Sequence, residues 1–374
     1  RHCENAACVK GCTRGALIKA QPMAVAGAPL RAVSFPVSPI LPHRPDIAMT
    51  PVLRARLAKR LEDKGVTPSG LEVWLTCPKK AFYAQVLGLR PMQEVAEDGD
   101  RARFGELVHR VLKEFLAPHL GKPLPAGFLD AQDLALRFEA ALGEEAFSVQ
   151  MPYDARVALL AAARERLSRF LANMPATTVV ELEREVRMTV TVPVIAAGGA
   201  GGAGGADGAG GAGGAELSVE LKGTIDRVDL RPGGNMVLDY KTGNVQAKGG
   251  SPWLDTELFV RVAATPPGTP EAEDLLRELS ESGLDAQLPL YLLLLESQGG
   301  FAAHNAAWVE LKKSGEEKPL FGDDVDDEDR REVIGNRVPA LLNFVLRHML
   351  AAPELVARPG RRCDWCDYKG PCVA

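Results

Sequence analysis

A chain of 374 residues is long enough for one large domain or two ordinary ones, each with a core of its own. Its content, 46% hydrophobic and 25% charged, is that of a soluble globular protein, and no apolar run approaches the ~18 residues of a membrane helix. The net charge of −5 excludes a surface basic all over; residues 271–332 hold 17 acidic against 6 basic side chains, so the rest is net positive and leaves room for a basic working face.

The N-terminal stretch carries Lys10, Arg14, Lys19 and Arg31 among its apolar residues and does not read as a secretory signal. The chain opens on Arg1 rather than Met, as a fragment or a processed product would. Residues 1–50 are rich in Pro and Ala without periodicity, and the expectation is a disordered segment, with residues 51–374 forming the folded domain. Six of seven cysteines sit in two tight groups, Cys3, Cys8 and Cys12 at one end and Cys363, Cys366 and Cys372 at the other, while Cys77 stands alone. Such grouping in a large domain points to metal binding rather than disulfides, and to a reducing cytoplasm. For the first trio an incidental role is the plainer reading.

Pro51 to Gly65 predicts a basic amphipathic helix, and Thr67-Pro68-Ser69 caps a second through Leu71–Val86. Phe104, Leu107, Val108, Val111, Leu112 and Phe115 recur at helical spacing and predict a helix over 103–117; another runs over 155–173. The period then drops to two: Val180, Leu182, Val186, Met188, Val190 and Val192 alternate with polar residues as a strand does. Residues 196–215, with 11 Gly and 8 Ala, read as a surface insert with no phosphate-loop signature. Strands follow at 217–230 and 236–242, joined by the turn Arg231-Pro232-Gly233-Gly234. A helix over 287–296, a strand over 306–312, an acidic loop at 323–329 and a long helix to about residue 350 complete the pattern, with the stretch 244–286 left as a long loop.

The informative segment is Lys222-Gly-Thr-Ile-Asp-Arg-Val-Asp229 with Leu238-Asp-Tyr-Lys-Thr-Gly243. On a strand, residues two apart share a face, so Asp239 and Lys241 project together and Asp226, on the neighbouring strand, can reach the same patch. Two carboxylates beside a lysine suit metal-assisted phosphodiester hydrolysis: hard oxygen ligands hold Mg²⁺ or Mn²⁺, and the lysine handles a water and the developing charge. An exposed cross-strand ion pair explains the same residues as well.

These stretches resemble motifs of the PD-(D/E)XK nucleases of the RecB/AddB type, whose upstream Gly-x-x-x-His is matched by Gly105 to His109 and whose downstream Gln-x-x-x-Tyr is matched by Gln287 to Tyr291. The resemblance implies an α/β core, a small mixed sheet flanked by helices, with a helical, cluster-bearing periphery. It implies a metal site of His109, Asp226, Asp239 and the Tyr240 carbonyl, with Asp226, Asp239, Lys241, Gln287 and Tyr291 as catalytic residues. Cys77, Cys363, Cys366 and Cys372 resemble the cysteines that hold a [4Fe–4S] cluster in AddB-type nucleases; four thiolates suit Zn²⁺ as well.

Candidate DNA contacts are Lys79, Lys80, Arg101, Arg103 and Arg110, then Arg227, then Arg358, Arg361, Arg362 and Lys369 with Trp365 and Tyr368. The implied function is metal-dependent exonucleolytic cleavage of single-stranded DNA ends in double-strand-break repair and recombination. The sequence has no Walker A motif, so unwinding falls to a helicase partner; no membrane is involved. Two alternatives stay open: a catalytically silent DNA-binding or scaffolding subunit, and a CRISPR-adaptation-type nuclease.

Overall fold

The computed structural model describes residues 46–90, 101–193, 216–243, 245, 250–299, 302–360, 363, 364, 366–369 and 372. Residues 47–358 form one unit. The described residues from 359 onward belong to another and are considered by themselves. The first unit opens with β1 (Ile47–Ala48), α1 (Pro51–Lys64), α2 (Pro68–Thr76) and α3 (Pro78–Ala81), which passes into a π turn at Phe82–Val86. Then come α4 (Arg101–Leu116), β2 (Pro123–Leu124), α5 (Ala131–Glu144), α6 (Ala146–Gln150) and α7 (Tyr153–Asn173). The long strands β3 (Thr177–Pro193) and β4 (Glu216–Arg231) lead to β5 (Gly234–Lys241). Four helices follow, α8 (Ser251–Leu254), α9 (Thr256–Ala264), α10 (Pro270–Ser282) and α11 (Gln287–Ser297). The unit ends with β6 (Ala303–Glu310), β7 (Glu317–Pro319), α12 (Asp327–Glu332), α13 (Val338–Ala351) and β8 (Glu354–Leu355).

Strands β2 to β7 form one mixed sheet in chain order, antiparallel except for β5 and β6, while β1 pairs with β8. A parallel pair needs a crossover, and α8 to α11 supply it. The sheet separates two apolar clusters. Leu57, Trp74, Ile225, Val237, Leu290 and Leu341 belong to one; Leu107, Phe138, Phe170, Leu238 and Tyr240 belong to the other. The mixed sheet between helices is the architecture expected from the sequence.

Local chemistry accounts for the element ends. Thr67 is the N-cap of α2, its Oγ1 accepting from the Gly70 N–H at 3.0 Å, with Pro68 at the first helical position. The expected helix over 71–86 is broken instead: Pro78 cannot continue α2, so Cys77 sits at an extended cap between two helices. The stretch 244–286, expected as a loop, holds α8, α9 and α10 among its described residues. Helices α5 and α6 were likewise not anticipated. The unpatterned N-terminal segment was carried to residue 50, yet Ile47–Ala48 already forms β1. Cys3, Cys8, Cys12, the insert at 196–215, Arg361, Arg362 and Trp365 lie outside the described residues, as does the side chain of Arg101.

Candidate active site

The site forms where β4 leaves β5. Their ladder runs from Arg231↔Gly234 to Arg227↔Leu238, and just beyond it the Tyr240 N–H donates to Asp226 Oδ2 at 2.7 Å. A carboxylate thus takes the place of a ladder acceptor. The alternation of β4 slips at the same point, since Ile225 and Val228, three residues apart, both join the first cluster. Across β3, Glu183 lies between the pairs Leu182↔Arg227 and Arg184↔Ile225, opposite Asp226. It has φ +46°, a left-handed conformation costly for a residue with a side chain, and Lys113 of α4 holds its carboxylate.

His109 is brought in by α4, whose buried Leu107, Val108, Val111 and Leu112 fix the helix on the sheet. Its Nδ1 is 3.1 Å from Asp226 Oδ1 and its Nε2 is 3.1 Å from the Tyr240 carbonyl oxygen. A carbonyl only accepts, so Nε2 is the nitrogen that donates to Tyr240, while Nδ1 faces the Asp226 carboxyl. Burial alone would depress its pKa; the Asp226 hydrogen bond and the charges of Asp226 and Asp239 outweigh burial and raise it. Gly105, one turn earlier, faces Thr242: a Cβ there would lie 3.3 Å from Thr242 Oγ1.

Asp239 is 5% exposed. Its Oδ1 accepts from Gln287 Nε2 at 3.0 Å, while Oδ2 lies 2.8 Å from Lys241 Nζ at ion-pair distance with no donor aligned on it. Burial pushes this carboxyl up to about 7, Lys241 pulling it down and Asp226 pushing it further up. Lys241, about one-third exposed, reaches Gln287 Oε1 at 3.4 Å. Gln287 opens α11 and Tyr291 follows one turn later, so both side chains face the site; Gln287 Nε2 also lies 3.1 Å from Tyr291 Oη. Gly223 makes room for that ring, because a Cβ there would stand 2.8 Å from Tyr291 Cε1.

The structure therefore brings together His109, Asp226, Asp239, Tyr240, Lys241, Gln287 and Tyr291, drawn from α4, β4, β5 and α11. Sequence reasoning missed Asp285 and Trp308, which carry no motif. Asp285 had one local signal, an Asp just ahead of a helix start; its Oδ1 accepts from the Gln287 N–H at 2.9 Å.

Three expected DNA contacts are corrected by burial. Arg227 is 0% exposed, with Nη2 2.9 Å from Asp229 Oδ2 and Nη1 3.1 Å from Tyr240 Oη. Lys79 is 1% exposed. Arg358 is 8% exposed, ion-paired to Glu273 at 2.6 Å and donating to the Leu75 carbonyl. None of the three presents its charge to a backbone phosphate. Lys80 is half-buried; Arg103 and Arg110 are exposed, Arg110 paired with Glu145 at 2.6 Å.

Cys77, Cys363, Cys366 and Cys372 take part in no disulfide among the described residues. Among the described residues no three His, Cys, Asp or Glu side chains are gathered as a metal enclosure. At the carboxylates the reason is visible: Asp226 is engaged by His109 and the Tyr240 N–H, and Asp239 by Lys241 and Gln287. The donor set nevertheless fits a hard divalent cation, being carboxylates, a carbonyl and an imidazole, with the buried Asp239 Oδ2 met by the Lys241 ammonium at ion-pair distance and by no aligned hydrogen bond. No helix among the described residues is long and apolar enough to cross a membrane.

No curated protein compared with the chain matches it. The family model of the PD-(D/E)XK nuclease superfamily matches residues 65–373, a span that includes every residue of the site just described. With most of its length so matched, the chain belongs to the PD-(D/E)XK nuclease superfamily.

Proposed function

We propose that the chain is a metal-dependent deoxyribonuclease that degrades single-stranded DNA from an end, in double-strand-break processing and recombination beside a helicase partner. The observation that carries the nuclease reading is the pairing of Asp239 and Lys241 on one face of β5, bridged by Gln287 and set against Asp226 and His109. The exonucleolytic role, the recombination setting and the partner rest on the RecB/AddB-type motifs alone.

His109, Asp226, Asp239 and the Tyr240 carbonyl would hold Mg²⁺ or Mn²⁺, which when bound polarises a phosphate and acidifies a water. Lys241 Nζ lies 2.8 Å from Asp239 Oδ2; it orients the attacking water and offsets charge on the phosphoryl oxygens. Gln287 keeps Lys241 and Asp239 in register, and Tyr291 fixes Gln287 through its hydroxyl. Only a neutral imidazole has a lone pair for a metal, so the raised pKa of His109 works against cation uptake at low pH.

Four thiolates in the order Cys77, Cys363, Cys366 and Cys372 would carry a [4Fe–4S] cluster of structural role, Zn²⁺ being the alternative occupant. Cys77→Ser and Cys366→Ser are expected to lose iron and acid-labile sulfide together; zinc in place of iron would select the other metal, and full iron retention would remove the assignment.

Degradation of end-labelled single-stranded DNA with Mg²⁺ or Mn²⁺ tests the activity, comparing wild type with Asp239→Ala and Lys241→Ala. Cleavage by the wild type, lost in both variants, is the expected result. A folded wild type that cleaves nothing, alone or with a helicase, would favour the silent scaffolding reading. The intact Asp239–Lys241 pair argues against that reading.

A further inference from the structure

Trp308 stands on β6 directly across the parallel ladder from Asp239, so its side chain shares the face on which Asp239 and Lys241 project. It is 5% exposed, and Lys241 Nζ lies 4.2 Å from its ring centroid. An ammonium over an indole face at this distance is drawn to the negative centre of the ring's quadrupole. The ring is held in turn: its Nε1–H donates to Asp285 Oδ2. Asp285 is fixed by two further bonds, Oδ1 accepting from the Gln287 N–H at 2.9 Å and its carbonyl oxygen from Trp253 Nε1 at 2.8 Å.

A lysine side chain is flexible and keeps one geometry only where several anchors meet. Here there are three: the Asp239 carboxylate, the Gln287 amide oxygen and the Trp308 face. Asp239 is a dual-purpose group, because the carboxylate that holds Lys241 is also a donor for a hard cation. An indole face does not compete for such a cation, which prefers oxygen ligands. Trp308 is therefore the anchor that stays with Lys241 when Asp239 is committed elsewhere.

We propose that Trp308, oriented by Asp285, is a positioning residue that holds the Lys241 ammonium at the cleavage site. The role in cleavage rests on the nuclease reading above; the placement of the lysine does not. A tryptophan that merely filled the core would need only its volume, and this difference makes the two roles separable.

The test uses the full chain with Trp308→Phe, which keeps a ring face, Trp308→Leu, which removes it, and Asp285→Asn, which loosens the indole while keeping its bulk. Two readouts are taken. One is steady-state cleavage of end-labelled single-stranded DNA in Mg²⁺. The other is the ¹³C-dimethyl-lysine NMR signal of Lys241 in metal-free protein, assigned by its loss in Lys241→Arg and expected upfield from the ring current. Trp308→Leu should lose about tenfold in kcat with KM unchanged, Trp308→Phe should stay within about threefold, and Asp285→Asn should fall between them. The Lys241 signal should move downfield in Trp308→Leu and hold its place in Trp308→Phe.

Equal losses of kcat in the Phe and Leu variants, or a Lys241 signal indifferent to Trp308, would overturn the proposal. If Trp308→Leu does not fold, Asp285→Asn decides alone, and an unmoved signal with unchanged kcat is then the negative result. A wild type that cleaves no DNA while its Lys241 signal still answers to Trp308 upholds the placement and removes the nuclease reading. Cleavage with an indifferent signal does the reverse.

Discussion

Two charge clusters built from β4 and its neighbours carry similar residues to opposite effect. Along the β4–β5 ladder, Arg227 and Arg231 meet Asp229 and Glu317, two guanidiniums against two carboxylates, with Arg227 and Asp229 both 0% exposed. Burial alone would weaken the charge on Arg227, but Asp229, Tyr240 and Glu317 more than restore it. Just beyond the ladder, Asp226 and Asp239 face one lysine and a histidine that is charged only while it keeps a proton. Balanced charges close off from solvent and add nothing for a ligand to bind. Imbalanced ones, held by a rigid sheet, leave a group that must take a proton or a cation. The contrast also explains why Arg227, one residue after Asp226, is structural.

The sharpest break of this comparison is substitution of one charged residue in each cluster. Asp226→Ala should lower cleavage by about a thousandfold while leaving the fold cooperative, measured by DNA degradation and by thermal melting. Arg227→Met should do the reverse, costing about 3–5 kcal/mol in chemical denaturation because two carboxylates, Asp229 and Glu317, are then left to the single guanidinium of Arg231. A severe loss of stability in Asp226→Ala, or none in Arg227→Met, would dissolve the distinction.

The next largest effect is on pH. The Asp239 carboxyl is raised from 3.8 to about 7, so the folded protein holds a proton that the unfolded chain releases. Its contribution to stability is full below the unfolded value and is lost as pH rises through about 7. The raised pKa of His109 acts in the same direction. Metal-free protein should therefore lose about 2–4 °C in Tm between about pH 6 and pH 8, and Mg²⁺ or Mn²⁺ should restore it. A flat profile in Asp239→Asn would tie most of the loss to that carboxyl; the same slope in the variant would assign it elsewhere.

The smallest effect separates close packing from chemistry. Gly223→Ala pushes a methyl toward Tyr291 Cε1 and Pro68 and should cost about 1–3 kcal/mol, with a smaller loss of activity through Gln287. Tyr291→Phe in the same background should recover none of it, since the ring remains.

Asp239 with Lys241 was legible because residues two apart share a strand face, while Gln287 and Tyr291 were marked by the family's Gln-x-x-x-Tyr motif. His109 needed the family resemblance, because a lone histidine on an amphipathic helix says nothing of what it faces. Trp308 reaches the site through the parallel β5–β6 register, a pairing between distant segments that no local pattern discloses, and Asp285 meets it through the indole N–H. The three helices within 244–286 were more readable than they were taken to be. Thr269 caps α10 with Pro270 behind it, and Gly283 ends it at φ +76°, the start and stop signals of an ordinary helix. The buried fate of Lys79, Arg227 and Arg358 was not readable, since a basic residue shows its partners only once the chain has folded.

The left-handed turn of backbone at Glu183 has a mechanical consequence. Because it sits opposite Asp226, it pins the phase of the β3–β4 hairpin at the catalytic end, and a slip of one residue would move the strain onto a neighbour. From there the two strands run on paired to Pro193↔Glu216, ten residues and about 33 Å beyond Asp226 along β4. A lever clamped at its base does not transmit changes made at its tip. A change in the length of the Gly/Ala-rich stretch between residues 193 and 216 is therefore expected to leave the geometry at Asp226 and Asp239 unmoved.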